Sequence, residues 1–379
     1  MNFELTEDQK LIRETAREFA EKRLKKLAGK FDEEEEISKE VYQEAAELGF
    51  FGMLAPEEFS GLALDSVSYI AAMEELARGS ASFQVGLSVH NSLTCGAIVK
   101  YGNDPQKKKY LEKLAKGEMM GAYSLTEPSS GTDAGSLKCS AVLKGDSYIL
   151  NGTKSWVTNA GLADIFVVFV STNKDVGSKG ISCLLVDKGL EGFTISAKEK
   201  KMGMRGSDTR EISFQDCKVP KGALLGEENK GFKIALNLLD SGRIGIAAQA
   251  IGIAQAAYEE ALSYAKTREQ FGKQLADFQA IQFKLADMAL QIDAARLLLY
   301  RAAAKSDTGV RFSQEASMAK LFASEIANKI TYQAVQVHGA LGYSRESAVE
   351  RYYRDARVTE IYEGTSEAQR MVIAREILK

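Results

Sequence analysis

Near the middle of the chain stands the stretch Ala141-Val142-Leu143-Lys144-Gly145-Asp146-Ser147-Tyr148-Ile149-Leu150-Asn151-Gly152. It holds two short β-prone runs, and a turn signal that contains glycine follows each of them. Similar runs recur at 166–170, 181–186, 193–195 and 212–214. Several short strands with frequent turns predict a compact antiparallel β domain, either a barrel or a sandwich. This region decides the fold class because the segments before and after it have a different sequence pattern.

The segments on both sides of the β region predict helices. Before it, apolar residues recur at helical spacing in 6–27, 39–48, 66–78, 83–101 and 104–117, and Thr6 with Gln9 forms the first cap. After it, the stretches 232–266, 278–305 and 314–338 are long enough for members of a helix bundle. The order α, β, α differs from a Rossmann alternation, and no GxGxxG or GxxxxGK[ST] loop occurs. We therefore predict an α+β protein of three domains, at 1–120, 121–226 and 227–379.

The composition narrows the class of function. The formal net charge is -3, which gives no basic footprint for nucleic acid, and two histidines are too few for a His-based metal site. The four cysteines form no CxxC pair, as is typical of free thiols in a reducing compartment. The acidic N-terminus shows no signal peptide, and the longest apolar run, 165–170, is too short to cross a membrane. We expect a soluble intracellular protein without metal.

Close to the C-terminus, Ile361-Tyr362-Glu363-Gly364-Thr365-Ser366 places one carboxylate beside a glycine. Ser366 and Gln369 predict a capping box, with a helix from there to about residue 378. A carboxylate next to flexible backbone at a helix entrance can approach a substrate closely. Glu363 is therefore a candidate general base if its site is dry, and the alternative is an ordinary acidic turn residue.

Four further motifs offer groups that suit a large polar ligand. Residues 123–133 (YSLTEPSSGTD) predict a strand running into a loop rich in hydroxyls and glycine, and the alternative is a capped turn. Residues 154–161 (KSWVTNAG) hold the only tryptophan, which can cover a ring or simply pack in the β core. Residues 267–272 (TREQFG), followed by Phe278 and Gln279, contain Arg268, whose planar fork suits a pyrophosphate. Residues 336–343 (QVHGALGY) place two glycines after a helix, where backbone can come close to a ligand.

With these motifs in this order, the chain resembles the acyl-CoA dehydrogenase family over essentially its whole length, and within it the short-chain (butyryl-CoA) branch. The resemblance implies an N-terminal helical domain, a middle barrel-like β domain and a C-terminal four-helix bundle, with FAD between them. It also implies an oligomer, because the family's counterpart of Arg268 reaches the FAD of a neighbouring subunit, and the family resemblance makes this a homotetramer, a dimer of dimers. Thr132 stands where the family usually has serine, and Ala340 where many members have a second glycine.

The resemblance also implies the FAD contacts. The residue matching Thr126 bonds the pyrimidine side of the flavin, Trp156 covers one face of the ring, and Thr158 donates to N5. His338 belongs to the cofactor loop or to packing rather than to catalysis. The full implied set is Tyr123, Leu125, Thr126, Gly131, Thr132, Trp156, Val157, Thr158, Arg268, Phe271, Phe278, Gln279, Gln336, Val337, His338, Gly339, Ala340, Thr365, Ser366 and Glu367.

The implied reaction is α,β-dehydrogenation of an acyl-CoA to the trans-2-enoyl-CoA. Glu363 would remove the α-proton while a hydride leaves the β-carbon for flavin N5, and its backbone N–H would help polarise the thioester carbonyl. Some branches place the base on the helix around 240–243, where Gly242 cannot serve. Burial should raise the pKa of Glu363 and the helix start should lower it, and we expect burial to dominate once substrate fills the pocket. The implied substrate contacts are Thr132, Asp240, Ser241, Gly242, Arg243, Tyr362 and Gly364.

The resemblance implies electron-transferring flavoprotein as the electron acceptor and a cytoplasmic location, or the mitochondrial matrix for a processed chain. An acyl-CoA oxidase that uses oxygen is the nearest alternative. A decarboxylating glutaryl-CoA-type enzyme is disfavoured, because the expected acyl-pocket stretch 86–94 has no arginine for a distal carboxylate. A non-enzymatic member of the same fold, binding DNA or protein, is the remaining alternative, and the acidic balance and intact Glu363 speak against it.

Overall fold

The computed structural model describes residues 4–379, and its N-terminal part is helical, as predicted. Thr6 and Gln9 form the predicted capping box. Asn103 caps the last helix of this part, because its side chain accepts from the Gln106 N–H. The helices are α1 (Glu7–Phe19), α2 (Lys25–Glu34), α3 (Lys39–Glu47), α4 (Ser66–Gly79), α5 (Ala81–Ser88), α6 (Gly96–Tyr101) and α7 (Asp104–Ala115).

Two of these helices continue into the next through π-helical turns. One is Ala20–Leu24 between α1 and α2, and the other is Val89–Cys95 between α5 and α6. The predicted helix 83–101 is therefore one continuous rod whose middle has the wider π geometry, a feature that is frequent at functional sites.

The middle part is a curled seven-stranded sheet. Most neighbouring strands are antiparallel, as predicted, but β1 pairs parallel with β4, so the sheet is mixed rather than purely antiparallel. The chain arrives at β1 from α7, which lets that strand enter alongside β4 in the same direction. The strands are β1 (Gly121–Ser124), β2 (Ser140–Lys144), β3 (Ser147–Thr158), β4 (Ile165–Ser171), β5 (Ile181–Asp187), β6 (Phe193–Lys198) and β7 (Thr209–Pro220).

The C-terminal part contains the three predicted long helices and two short ones. Both short helices pack against α10, and α11 also contacts α8. Together they stand where the fourth helix of the bundle was expected. A two-stranded hairpin separates α8 from α9. The elements are α8 (Gly231–Thr267), β8 (Glu269–Gln270), β9 (Lys273–Gln274), α9 (Gln279–Asp307), α10 (Ser313–His338), α11 (Ala348–Arg357) and α12 (Ser366–Ile377).

Helix α8 ties the parts together. Its first turns, with Ile234 and Leu238, pack in a core with α7 and strands β4 and β5, whereas Ile251 and the rest join a core shared by the N-terminal and C-terminal helices. A third core fills the curled sheet. The middle of α8 therefore lies where the three parts meet. Within residues 4–379, no helix has the length and apolar character needed to cross a membrane.

Candidate active site

A cleft of about 1830 Å³ opens at this junction. Its walls come from the loop after β1, the end of β3, the loop before β7, helix α8 and the segment that leads into α12. Four apolar side chains from α5, the adjoining π turn and α8 line one side: Val85, Val89, Leu93 and Ile246. Thus the cleft draws on all three parts of the chain.

Glu363 lines this cleft, and its carboxylate lies against helix α8. Its Oε2 is buried and has no hydrogen-bond partner among residues 4–379. A Cβ at Gly242 would lie 2.5 Å from that oxygen and 2.9 Å from the carboxylate carbon, so the missing side chain at Gly242 is what makes room for Glu363. Gly242 therefore serves the site as empty space rather than as a donor or acceptor.

The pKa of Glu363 is raised from 4.5 to about 7, and burial is the dominant cause. The positive charges of Arg243 and Lys320 oppose the rise. Arg243 donates to Asp240 at 2.7 Å, and Asp240 also accepts from Ser313 on α10. Burial thus outweighs the two nearby cations, and the expected balance between burial and the helix start in a pocket filled with substrate stays a prediction.

The backbone around Glu363 is unusual, because φ is 53° at Glu363 and 94° at Gly364. The predicted capping box of Ser366 and Gln369 is wrong: Thr365 caps α12 by accepting from the Ala368 N–H. Gln369 instead donates to the carbonyl oxygens of Glu363 at 3.1 Å and Gly364 at 2.9 Å. Because of the left-handed turn, both carbonyl oxygens lie within reach of the Gln369 side chain. The Gln369 amide therefore bonds to them and does not cap the helix.

Two more side chains near the base are fixed by hydrogen bonds. Lys320, on α10, donates to the Gly364 carbonyl oxygen at 2.7 Å. The Tyr362 hydroxyl donates to Gln249 on α8, and Gln249 in turn donates to Gln84 at 2.6 Å. The loop that carries Glu363 is thus tied to α5, α8, α10 and α12.

A second group of predicted residues forms the opposite wall of the cleft. Trp156 is 60% exposed, so the reading of a tryptophan packed in the β core does not apply. Val157 is the exception, because its side chain is buried in the core of the sheet. The predicted residues that line this wall are Tyr123, Leu125, Thr126, Gly131, Thr132, Trp156 and Thr158.

A buried ion pair supports this wall from behind. Lys154 donates to Glu127 at 2.8 Å and to the Leu125 carbonyl oxygen at 3.0 Å. The same carboxylate accepts from the backbone N–H groups of Lys138 and Cys139 at 2.6 and 2.9 Å. The Glu127 carboxylate thus accepts hydrogen bonds from all of these donors. Through them it holds both ends of the loop between β1 and β2.

The remaining predicted cofactor contacts do not line the cleft. Arg268 and Phe271 lie at the hairpin, where Phe271 is 94% exposed, and the stretch that begins at Gln336 lies at the end of α10. His338 stacks on Tyr264 with ring centroids 4.3 Å apart, as a packing residue would. The predicted cofactor residues outside the cleft are Val157, Arg268, Phe271, Phe278, Gln279, Gln336, Val337, His338, Gly339, Ala340, Ser366 and Glu367. The predicted substrate residues outside it are Asp240, Ser241 and Gly242.

The cleft suits a flavin together with a second ligand. Single small-molecule sites usually measure roughly 300–1,000 Å³, so a cleft of about 1830 Å³ has room for more than one ligand. The hydroxyl of Tyr123, which lines the cleft, is buried without a hydrogen-bond partner in the described part of the chain. An exposed tryptophan, short hydroxyl side chains and free backbone are groups that an isoalloxazine ring can use.

The sequence reading missed Lys320, Gln249, Lys154 and Glu127. Lys320 had a local signal, since it lies on the same face as the buried alanines at 316, 319, 323 and 327 of α10, where a charged residue is out of place. The pair of Lys154 and Glu127 had none, because its members are 27 residues apart and only the folded sheet brings them together.

Comparison with known proteins agrees with the motifs. Three family models match in order: "Acyl-CoA dehydrogenase, N-terminal domain" over residues 6–118, "middle domain" over 122–217 and "C-terminal domain" over 229–378. The mitochondrial short-chain specific acyl-CoA dehydrogenase of Bos taurus is 50% identical over 376 residues, which cover 99% of this chain and 91% of the relative.

Two solved structures are similar along their whole length. Butyryl-CoA dehydrogenase from Megasphaera elsdenii is 46% identical with a TM-score of 0.98, and all of both chains is covered. A chain in a structure described as "Electron transferring flavoprotein of Acidaminococcus fermentans: Towards a mechanism of flavin-based electron bifurcation" is 47% identical with a TM-score of 0.99, again with full coverage of both. On the agreement of motifs, fold, cleft and relatives, this chain belongs to the acyl-CoA dehydrogenase family.

Proposed function

We propose that the protein dehydrogenates a short-chain acyl-CoA between its α- and β-carbons, with Glu363 as the base that takes the α-proton. One observation carries the assignment: Glu363 places a buried carboxylate oxygen without a hydrogen-bond partner at the wall of a cleft that has room for two ligands. An oxygen without a partner is free to accept a proton from substrate. A structural carboxylate such as Glu127 has its oxygens occupied by donors.

The pKa of Glu363, raised to about 7, suits this role. A general base works best when its pKa is close to the working pH, because it is then both ionised and basic. Burial supplies the basicity, while Arg243 and Lys320 keep part of the population ionised at neutral pH. The Bos taurus relative is named a short-chain specific acyl-CoA dehydrogenase, which supports this reaction.

FAD fits the wall formed by Leu125, Thr126, Trp156 and Thr158, and when bound it would supply the acceptor for the hydride. The chain's own part is to hold the ring edge with hydroxyls and backbone and to cover one face with Trp156. The exposed hairpin with Arg268 and Phe271 would contact the FAD of a neighbouring subunit in a homotetramer. The Gln336–Ala340 stretch would serve the adenylate half.

The acyl chain would lie against Val85, Val89, Leu93 and Ile246. These side chains carry no charge, so the wall favours a saturated straight chain over a distal carboxylate. Short chains are favoured by the named relatives as well. The natural oxidant would be electron-transferring flavoprotein, a proposal supported by the similar chain from the Acidaminococcus fermentans structure. The alternative is an oxidase, which would form hydrogen peroxide in air at the rate of turnover.

An anaerobic absorbance titration with butyryl-CoA tests the proposal. The FAD-loaded protein should bleach at about one equivalent per subunit, and Glu363→Gln should bind FAD and butyryl-CoA but lose turnover by orders of magnitude. Glu47→Gln, an exposed acid at the end of α3, is the matched control and should behave as wild type. Near-normal turnover in Glu363→Gln would refute the assigned base.

A further inference from the structure

Lys320 is a buried lysine whose amine has no salt-bridge partner within the described part of the chain. Its side chain has 0% exposure and lies in the alanine-lined face of α10. The one hydrogen bond of the amine goes to the Gly364 carbonyl oxygen, at 2.7 Å. Burying an ammonium group costs free energy of folding. The position of Lys320 beside the candidate base therefore indicates a role other than stabilising the fold.

The Lys320 amine stabilises an unfavourable backbone conformation at Glu363. Left-handed φ is unfavourable at a non-glycine residue such as Glu363 and persists only where the surroundings fix it. The Gly364 carbonyl accepts from both Lys320 and Gln369, and a Cβ at Gly364 would lie 2.7 Å from the Gln369 amide nitrogen. The two side chains and the glycine therefore define one geometry for the loop.

Four charged side chains act on the Lys320 amine. Glu363 is the strongest, followed by Arg243 on α8, Glu360 before the loop and Glu367 on α12. Burial lowers the pKa of Lys320 to about 7, while the acidic groups oppose that change. Lys320 and Glu363 thus favour each other's charged forms: the cation lowers the pKa of the carboxyl, and the carboxylate raises that of the amine.

We propose that Lys320 is a positioning residue for the reaction: it fixes the Glu363–Gly364 turn through the Gly364 carbonyl, and its positive charge favours the ionised carboxylate of Glu363. The inference rests on the proposed role of Glu363. The two effects separate experimentally, because the hydrogen bond sets where the carboxylate lies and the charge sets the pH at which it ionises.

The test uses the FAD-loaded enzyme and butyryl-CoA, with kcat/KM measured against pH for Lys320→Met, Lys320→Gln and the wild type. Lys320→Met should move the acid limb upward by on the order of one pH unit, because the carboxyl loses a neighbouring cation. Its plateau rate should fall about 10- to 100-fold, because the turn loses its anchor. Lys320→Gln retains an N–H donor without the charge, so it should recover part of the plateau rate and keep the shifted limb.

Lys329→Met, an exposed position on the same helix, is the control and should match wild type in both measures. Flavin content and thermal melting show which variants are folded. If Lys320→Met does not fold, the test is made with Lys320→Gln. An acid limb in the folded Lys320 variants that coincides with that of Lys329→Met would overturn the inference alone. Normal turnover in Glu363→Gln would instead overturn the proposed base, and the role of Lys320 with it.

Discussion

Gly242→Ala places one methyl group against the candidate base. The added Cβ would lie 2.5 Å from Oε2 and 2.9 Å from Cδ of Glu363. An ordinary non-bonded contact needs about 3.5 Å, so the carboxylate must move by roughly 1 Å. The atoms in the way are the far end of a side chain, so the backbone of α8 can stay where it is.

Stability and rate should respond to this substitution in opposite directions. Gly242 lies inside α8, where alanine is favoured over glycine by about 0.5–1 kcal/mol. A misplacement of about 1 Å at the reacting centre costs on the order of 100-fold in rate, or about 2.7 kcal/mol in the barrier. We therefore expect a variant that melts no lower than wild type and reduces its flavin about 100 times more slowly.

Stopped-flow absorbance under anaerobic conditions measures the reductive step directly, as bleaching of the flavin by butyryl-CoA in a single turnover. Gly222→Ala is the matched control, since a Cβ there meets no atom within 4 Å. In the double variant with Glu363→Asp the two rate losses should not add, because the shorter acid no longer meets the new methyl group. Bleaching of Gly242→Ala at the wild-type rate would show that the carboxylate does not work from this position.

Further predictions concern protons, the ion pair and the hairpin. With a pKa of about 7 at Glu363, kcat/KM should fall about tenfold per pH unit below 7, whereas a carboxyl with pKa 4.5 would leave the profile flat to pH 5.5. The raised pKa means that the folded state binds this proton more tightly than the unfolded chain does, so the contribution of Glu363 to stability is lost as pH rises from about 4.5 to about 7. That loss is up to about 3 kcal/mol, and Glu363→Gln should raise the melting temperature more at pH 8 than at pH 5. Lys154→Met strands the buried carboxylate of Glu127 and should cost about 3–5 kcal/mol, seen as a lower melting temperature and loss of FAD; an unchanged melt would contradict the structural role of the pair. Arg268→Ala should weaken FAD binding by about 1.5–3 kcal/mol in a fluorescence titration while leaving the subunit fold intact, and unchanged FAD affinity would argue against its contact with the cofactor.

The sequence predicts the elements of this protein better than it predicts their contacts. The long helices and the Thr6 cap carry local signals, namely helical periodicity and a side chain three residues from its partner, and all of them appear in the structure. The parallel pairing of β1 with β4 has no local signal, because it depends on how the chain returns from the first helical part. Register and direction of strands are properties of the assembled sheet.

The candidate site divides in the same way. Glu363 and the hydroxyl-rich loop were found because they stand in recognisable motifs, and the structure brings them to one cleft. Gln369 was assigned to a helix cap, since spacing alone cannot show that the left-handed turn draws its amide to the Glu363 and Gly364 carbonyls. The space at Gly242 is likewise visible only when the carboxylate from a distant segment arrives there.

The π turn Val89–Cys95 has a consequence for altering the acyl specificity of this enzyme. Each hydrogen-bonded ring in such a turn encloses one residue more than in an α-helix, so the turn is in effect a single-residue insertion within a continuous rod. Removing one residue there would restore α-helical winding, and because the wide turn already absorbs the extra residue, the helix that follows would keep nearly the same orientation. The side chains of the turn itself, Val89 and Leu93 among them, would be spaced differently along the cleft wall while Val85 kept its place. A deletion at this turn would therefore reshape the proposed acyl-chain wall and leave the helices on both sides in position, which stepwise side-chain replacement does not offer.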